Sequence, residues 1–387
     1  MKALYLALGR DLSQPDAGTT HTMSVVKALA ELGVEVTLAA RKPAESKGRI
    51  AFVAAAAQKP FGSGGTRLVP KELLEAAKAA DIIQERVEES GGTGVRIARA
   101  TGKPLVLEIN TPLSGYPNAI LRRVADMNLR RQARAADAVI TQTPISRNII
   151  ESYTQARVFV VPNGADPRLF SPDIVPAPVP GATAGRKVIA FAGSLRPWHG
   201  VEDLLAAGAK LLSRHPEAFL LVVGGGRRHA ALQDMARESL GPGNCHFTGA
   251  APPSEVPHCL ARADILTAPF APERDPVRRR QFAKYGMWWS PVKIFEYMAA
   301  GKPIVASAAG MIPEYLAGAG LTYPPGNVDA LEKAIARLLE NSAESEALAQ
   351  AARRRLEANY TWRHAAELTV AAWREVLGGR QKVSVTR

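Results

Sequence analysis

Ser290-Pro291-Val292-Lys293-Ile294-Phe295-Glu296-Tyr297-Met298-Ala299-Ala300-Gly301-Lys302-Pro303, continued by Ile304-Val305-Ala306-Ser307, reads as a short helix with both ends marked and a strand behind it. Ser290 suits the cap, and Pro291 suits the first helical position, where a missing N–H costs nothing. Gly301 supplies a left-handed stop, and Pro303 turns the chain into the apolar strand. Ile294, Phe295, Met298 and Ala299 form one face, and Lys293 and Glu296, three apart, lie on another.

That second face carries the chemistry. A helix start presents unpaired N–H groups and partial positive charge, a seat for phosphate. Lys293 adds a full charge in the first turn. Glu296, one turn on, accepts two hydrogen bonds from a vicinal diol such as a ribose. Phosphate and ribose at that separation describe a nucleotide; the competing reading is a charged pair on a solvated face.

With 387 residues the chain suits two domains rather than one core. Its 47% hydrophobic and 22% charged residues are those of a globular protein, not a disordered one. No apolar run is long enough to cross a bilayer. Met1 to Leu8 is apolar, but Arg10 and Asp11 end it without a cleavage pattern, so a first strand is expected there. Cys245 and Cys259 match no metal-ligand spacing, and no carboxylate pair suggests a metal. A cytoplasmic protein is expected, either free or peripheral on the inner face of the membrane. The 49 Lys plus Arg against 36 Asp plus Glu give +13, which favours anionic partners: a nucleotide or an anionic membrane. Arg278-Arg279-Arg280 and Arg353-Arg354-Arg355 lack interleaved aromatics, so no nucleic acid is expected.

Apolar runs and helical stretches alternate twice, which predicts two parallel sheets wrapped by helices. In the first half, strands are expected at 3–8, 35–38, 81–84, 105–109, 138–141 and 157–161. The loop Ala17-Gly18-Thr19-Thr20-His21 is expected to lead into a helix over 23–32, and Gly62 to Gly65 reads as a flexible loop. The dinucleotide fingerprint G-x-G-x-x-G is absent after the first strand. Asn110 follows its strand at the carboxyl edge where open sheets bind ligands. Arg122 to Arg134 make a basic helix, either a solvated face or a lipid-facing one. Residues 172–186, rich in Pro, Ala and Gly, read as the linker between domains at 1–171 and 187–364. Beyond it come strands at 188–192, 219–223, 245–248 and 264–268, and closing helices at 330–340, 345–357 and 365–376. Gly193-Ser194-Leu195-Arg196-Pro197-Trp198-His199-Gly200 opens the second sheet as a glycine loop, either a plain structural turn or a place where a diphosphate could meet a guanidinium.

The chain resembles the retaining glycosyltransferases of family 4, which have a GT-B-type fold. The likeness rests on five stretches: Ala17 to His21; Val161-Pro162-Asn163-Gly164-Ala165-Asp166 with Phe170; Gly193 to Gly200; Phe295 to Pro303; and Tyr360-Thr361-Trp362. The resemblance implies two Rossmann-like domains facing across a cleft, the first on the acceptor side and completed by a C-terminal helix over 365–380. It implies a nucleotide-diphosphate sugar held by the second domain, with neither cofactor nor metal. Glu296 is then the ribose ligand, and Ser290 to Ile294, with Gly18, Gly193, Ser194 and His199, surround the donor. Lys293, Arg196 and Asn110 take the catalytic places, and Thr19, His21 and Glu108 lie on the acceptor side.

The chain also departs from the family pattern. Many members carry a second glutamate where this chain has Trp288, an arginine and a lysine where it has Ser194 and His199, and a histidine where it has Asn110. Trp288 and Trp289 are either core or a stacking surface for sugar or lipid. The replacement at Trp288 motivates a second reading, a non-catalytic nucleotide-sugar-binding partner; a sugar epimerase of the same fold is a third. The acceptor class stays open between a lipid-linked sugar, a polysaccharide and a small natural product.

Overall fold

The computed structural model describes residues 1–14, 16–42, 48–55, 69–88 and 92–385, so the expected loop at Gly62 to Gly65 lies outside them. The chain forms two compact units, one of residues 1–163 with 362–387 and one of residues 164–361.

The first unit holds a seven-stranded sheet. Its strands are β1 (Lys2–Asp11), β2 (Glu35–Lys42), β3 (Ile50–Ala54), β4 (Ile82–Arg86), β5 (Leu105–Glu108), β6 (Ala138–Thr141) and β7 (Arg157–Val160), in spatial order β3-β2-β1-β4-β5-β6-β7. Every pairing is parallel. Helices cover both faces, so β1 and β5 read as nearly continuous apolar runs and are buried along most of their length. The order reverses between β1 and β4, and the crevice outside the carboxyl ends at such a point is where open sheets take ligands.

The second unit repeats the plan with six strands: β8 (Lys187–Ala192), β9 (Ala218–Val223), β10 (Cys245–Gly249), β11 (Ile265–Ala268), β12 (Ile304–Ser307) and β13 (Leu321–Tyr323). Their order is β10-β9-β8-β11-β12-β13, again wholly parallel, with the reversal between β8 and β11. Ile189, Phe191, Leu220 and Val222 pack against Leu204, Leu211, Leu232 and Ile335 from the covering helices.

The division between units differs from the expected one at both ends. Residues 164–171 belong to the second unit because the Arg353 guanidinium donates to the carbonyls of Phe170 (2.7 Å), Pro167 (3.1 Å) and Ala299. The expected linker, 172–186, is also bound to that unit. The Ala177 N–H donates to the His258 carbonyl at 2.9 Å, Arg186 reaches the Ala218 carbonyl at 2.8 Å, and Arg262 reaches the Ala182 carbonyl at 2.8 Å. Low periodicity there marks a segment fastened by side chains to carbonyls, not a free tether. The closing helix, Trp362–Val385, lies in the first unit, three residues earlier than expected at its start.

Candidate functional site

The deciding helix runs Val292–Ala299. Its start corrects the sequence reading by one residue. Pro291 occupies the cap position with no side-chain cap bond, and Ser290 is buried at 4% exposure, facing the Tyr315 phenol instead of the first turn. Gly301 closes the helix at φ +61° and its N–H donates to the Met298 carbonyl at 3.2 Å. Ile294, Phe295, Tyr297 and Met298 are fully buried. Tyr297 ties the helix to the sheet: its hydroxyl accepts from the Ala192 N–H at 2.7 Å, at the last residue of β8.

That tie brings Lys293 over the loop that begins at Gly193. Its ammonium lies 3.9 Å from the centre of the Phe191 ring and 5.1 Å from that of Phe270, shielded from solvent and without a hydrogen-bond partner among the described residues. A Cβ on Gly193 would stand 2.6 Å from Lys293 Nζ, and the backbone there lies at φ +143°, a conformation that favours glycine. Burial draws the Lys293 pKa down to about 7, against the pull of Glu296. Burial pushes Glu296 up to about 7, against the pull of Lys293. An unpartnered ammonium at the carboxyl edge of β8 is a receptor short of an anion.

The glycine loops interlock behind it. Gly193 N–H donates to the Val223 carbonyl at 2.8 Å and Leu195 N–H to the Gly225 carbonyl at 3.0 Å. Gly224, at φ +140°, passes so close that a Cβ would stand 2.0 Å from the Gly193 carbonyl oxygen. His199 lies in this loop with its Nδ1 against the Ser194 carbonyl. Burial, then Lys293, hold its pKa well below the usual range, so it is neutral. A carbonyl only accepts, so Nδ1 carries the proton and Nε2 offers a lone pair. Arg196 is exposed, its guanidinium 5.8 Å from the Trp198 ring. Trp288 is fully buried against Phe282, ring centres 4.6 Å apart, so of its two readings it is core. Trp289 is partly exposed, with Trp198 at 5.9 Å and Arg278 at 5.9 Å.

The first unit gathers the remaining residues at its own reversal point. Ala17 to His21 is not a loop: the helix begins at Ala17 and runs to Glu31, with Asp16 accepting from the Thr19 N–H at 2.7 Å. Gly18 therefore sits in a first helical turn, under Arg10, which pairs with Glu88 and Asp16. Glu108, at the end of β5, is buried and fully engaged. It accepts from the Tyr5 hydroxyl, Gln84 Nε2 (2.9 Å), Asn110 Nδ2 (2.7 Å) and Arg86 (3.4 Å). Burial alone would raise its pKa, but the Arg86 charge and the hydrogen bonds from Tyr5 and Asn110 keep it low and ionised. Arg86 also donates to His21 Nδ1, so that imidazole is neutral, its pKa drawn down to about 4 by burial. Glu108 is thus a strut with no acceptor capacity left over. It fixes the Asn110 amide with Oδ1 buried and unpartnered among the described residues, the acceptor a donating ligand would meet.

Two tryptophans of the closing helix brace this network, and neither was legible as a site residue. Trp362 meets His21 edge-on at 5.6 Å, and Trp373 Nε1 donates to Gln84 Oε1 at 2.8 Å. Trp373→Phe strands a buried acceptor and is expected to cost about 1–3 kcal/mol, read as a lower midpoint in urea unfolding; an unchanged midpoint would show the bond to be inconsequential.

Residues 178–355 match the model described as glycosyl transferases group 1, and residues 18–169 match glycosyltransferase family 4. A sucrose-phosphate synthase of Thermosynechococcus elongatus superposes with a TM-score of 0.74 at 19% identity, over 98% of this chain and 99% of that one. The fold is of GT-B type, and the two matches together carry the likeness to glycosyltransferases over most of the chain. Another GT-B structure, Anabaena HepE in complex with UDP and glucose, superposes at 0.72 with 20% identity, over 97% of this chain and 100% of that one. Among curated proteins, this GT-B chain is 26% identical over 388 residues to a D-inositol 3-phosphate glycosyltransferase of Corynebacterium aurimucosum, covering 88% of each. It is 28% identical over 212 residues to a GDP-mannose-dependent monoacylated alpha-(1-6)-phosphatidylinositol monomannoside mannosyltransferase of Corynebacterium glutamicum. That match spans about half of either chain, 52%.

Proposed function

We propose that this chain moves a sugar from a nucleotide-diphosphate donor to an acceptor hydroxyl, with retention of the anomeric configuration and without a metal. The observation that carries the reading is the buried, unpartnered Lys293 ammonium beside Gly193, with Glu296 one turn further along the same helix. The diphosphate lies against the helix start at Ser290 to Ile294 and the loop from Gly193 to His199. Its charge is met by Lys293 and Arg196, and Glu296 holds the ribose. The first unit, at Gly18, Thr19, His21 and Asn110, receives the acceptor. The bond from the anomeric carbon to the phosphate oxygen breaks and one to the acceptor oxygen forms on the same face. The acceptor proton passes to the departing phosphate oxygen, so no protein nucleophile is required. Lys293 matters most while charge builds on that oxygen. Its pKa of about 7 in the empty protein rises again beside an anion. Relatives named for mannosyl and glycosyl transfer support this reading over a silent binding partner or an epimerase.

Incubation with a panel of UDP-, GDP- and ADP-sugars, with lipid-linked, polysaccharide and small-molecule acceptors, is expected to release nucleoside diphosphate from one donor class. Activity is expected to persist in a chelator, and product anomers read by NMR are expected to match the donor. No release from any donor, with no nucleotide binding by calorimetry, refutes the assignment; inversion refutes its stereochemistry.

A further inference from the structure

We propose that the helix Ala119–Ala135 of the first unit docks the protein on an anionic lipid surface. Ten large apolar side chains are exposed among the described residues, and four of them, Ile120, Leu121, Val124 and Met127, lie on this one helix. Ile120 is 75% exposed and Met127 59%, values at which neither contributes to the core. Three of the four, Ile120, Val124 and Met127, fall on one side at helical spacing, in the first half of the helix. The same exposed side continues into Arg130, Arg131 and Arg134, with Arg123 flanking the apolar half. The helix has a single acid, Asp126, and it is turned inward: it accepts from the Ser114 N–H at 2.7 Å. Arg134 and Arg130 are partly occupied by Tyr153, through its carbonyl and its ring. Arg123 and Arg131 make no ion pair among the described residues. Asn118 caps the helix through the N–H groups of Ile120 and Leu121, at 2.9 and 3.0 Å, so the apolar end is held in place.

Charge decides which occupant fits. A second copy would set the same arginines against themselves, which opposes a two-fold pairing through this face. A polyanion without apolar substance would leave Ile120 and Met127 in water. An interfacial helix on anionic lipid satisfies both halves, apolar side chains among the acyl chains and arginines at the headgroups. No helix among the described residues is long and apolar enough to cross the bilayer, so this is contact from one side. The inference goes beyond the donor reading and does not depend on it.

The test is co-sedimentation of the full chain with vesicles of phosphatidylcholine alone or with phosphatidylglycerol. Binding is expected only with phosphatidylglycerol, weakening as salt is added. Ile120→Ser with Met127→Ser is expected to lower partitioning about tenfold or more. Arg123→Glu with Arg131→Glu is expected to lower it at least about fivefold per position. All four side chains are exposed, so circular dichroism and melting should match the parent, and nucleotide binding serves as a separate control. Equal binding to both vesicles, or no loss in either double variant, overturns the proposal. So does sedimentation showing dimers that Ile120→Ser with Met127→Ser abolishes, or capture of an acidic protein in preference to vesicles.

Discussion

Lys293→Met is expected to slow sugar transfer about 10²–10³-fold and at the same time to raise the unfolding free energy of the empty protein. The two effects have one cause. The ammonium is buried against Phe191 and Phe270 without a hydrogen-bond partner among the described residues, so the fold carries the cost of its desolvation. Methionine fills the same space, keeps contact with both rings and needs no partner. The displacement of the Lys293 pKa from 10.5 to about 7 would amount to several kcal/mol at about 1.4 per pH unit. Some of that is lost because the residue is only half-buried and because cation–π attraction offsets part of the cost. A gain of about 1–4 kcal/mol is the reasonable range for removing such a charge. Turnover should fall more than KM rises, since the charge is needed as the diphosphate leaves. Unchanged turnover removes Lys293 from the mechanism, whereas lost turnover with lower stability means the site was disrupted, not disarmed.

The pH dependence of stability separates Lys293 from Glu296. The unfolded chain holds the lysine proton up to about 10.5 and the folded chain only to about 7, so the cost is fully present below about 7 and disappears above about 10.5. Stability therefore rises with pH across that window. Glu296 runs oppositely. Its folded pKa of about 7 exceeds the ordinary 4.5, so its cost is absent below 4.5 and complete above about 7, and stability falls with pH between them. The two contributions leave the empty site least favourable near neutrality. Urea unfolding across pH should show the alkaline recovery vanish in Lys293→Met and the acid-side decline vanish in Glu296→Gln.

Alternation of apolar runs made both sheets legible, because parallel strands covered on both faces cannot hide their hydrophobicity. The elements that escaped notice are those with weak contrast. β3, Ile50-Ala51-Phe52-Val53-Ala54, is an edge strand with two alanines and partly exposed, and β13 is three residues long. The helix Lys71–Ala79 follows a proline with no side-chain cap. At the site, Lys293, Glu296 and Gly193 were legible because local spacing assembles the first two and a strand-to-helix turn supplies the third. Tyr297 and Gly224 were not, since their partners are 105 and 31 residues away: Ala192 for the hydroxyl and Gly193 for the close approach. Asp16 before Ala17 did announce a helix start, and the pull of the glycine obscured it. In the first unit, Glu108 looks like a ligand in the sequence. Only the fold reveals four donors converging on it from β1, β4 and the turn beyond β5. Trp373, almost three hundred residues from Gln84, carries no local sign of its task.

Glu296→Gln is expected to weaken nucleoside-diphosphate binding by about 1.5–3 kcal/mol, or roughly 10–150-fold, the worth of hydrogen bonds to a charged acceptor. Glutamine keeps the length and one acceptor oxygen but replaces the other with an NH₂ that faces a hydroxyl less favourably, so Glu296→Ala should be no milder. Because burial pushes the Glu296 carboxyl up to about 7, its share of the affinity should grow as pH rises through neutrality, while the share from Lys293 declines. Two ligands isolate it. Inorganic pyrophosphate lacks a ribose and should bind parent and Glu296→Gln alike. A 2′,3′-dideoxynucleoside diphosphate keeps the base and phosphates, and should bind the parent as weakly as Glu296→Gln binds the ribose form. In the double-mutant cycle the coupling between carboxylate and diol should then account for most of the loss. If Glu296→Gln weakens the dideoxy ligand as much as the ribose one, the carboxylate acts through Lys293 or the fold and the ribose assignment fails. If the variant binds every ligand as the parent does, the residue has no part in donor recognition.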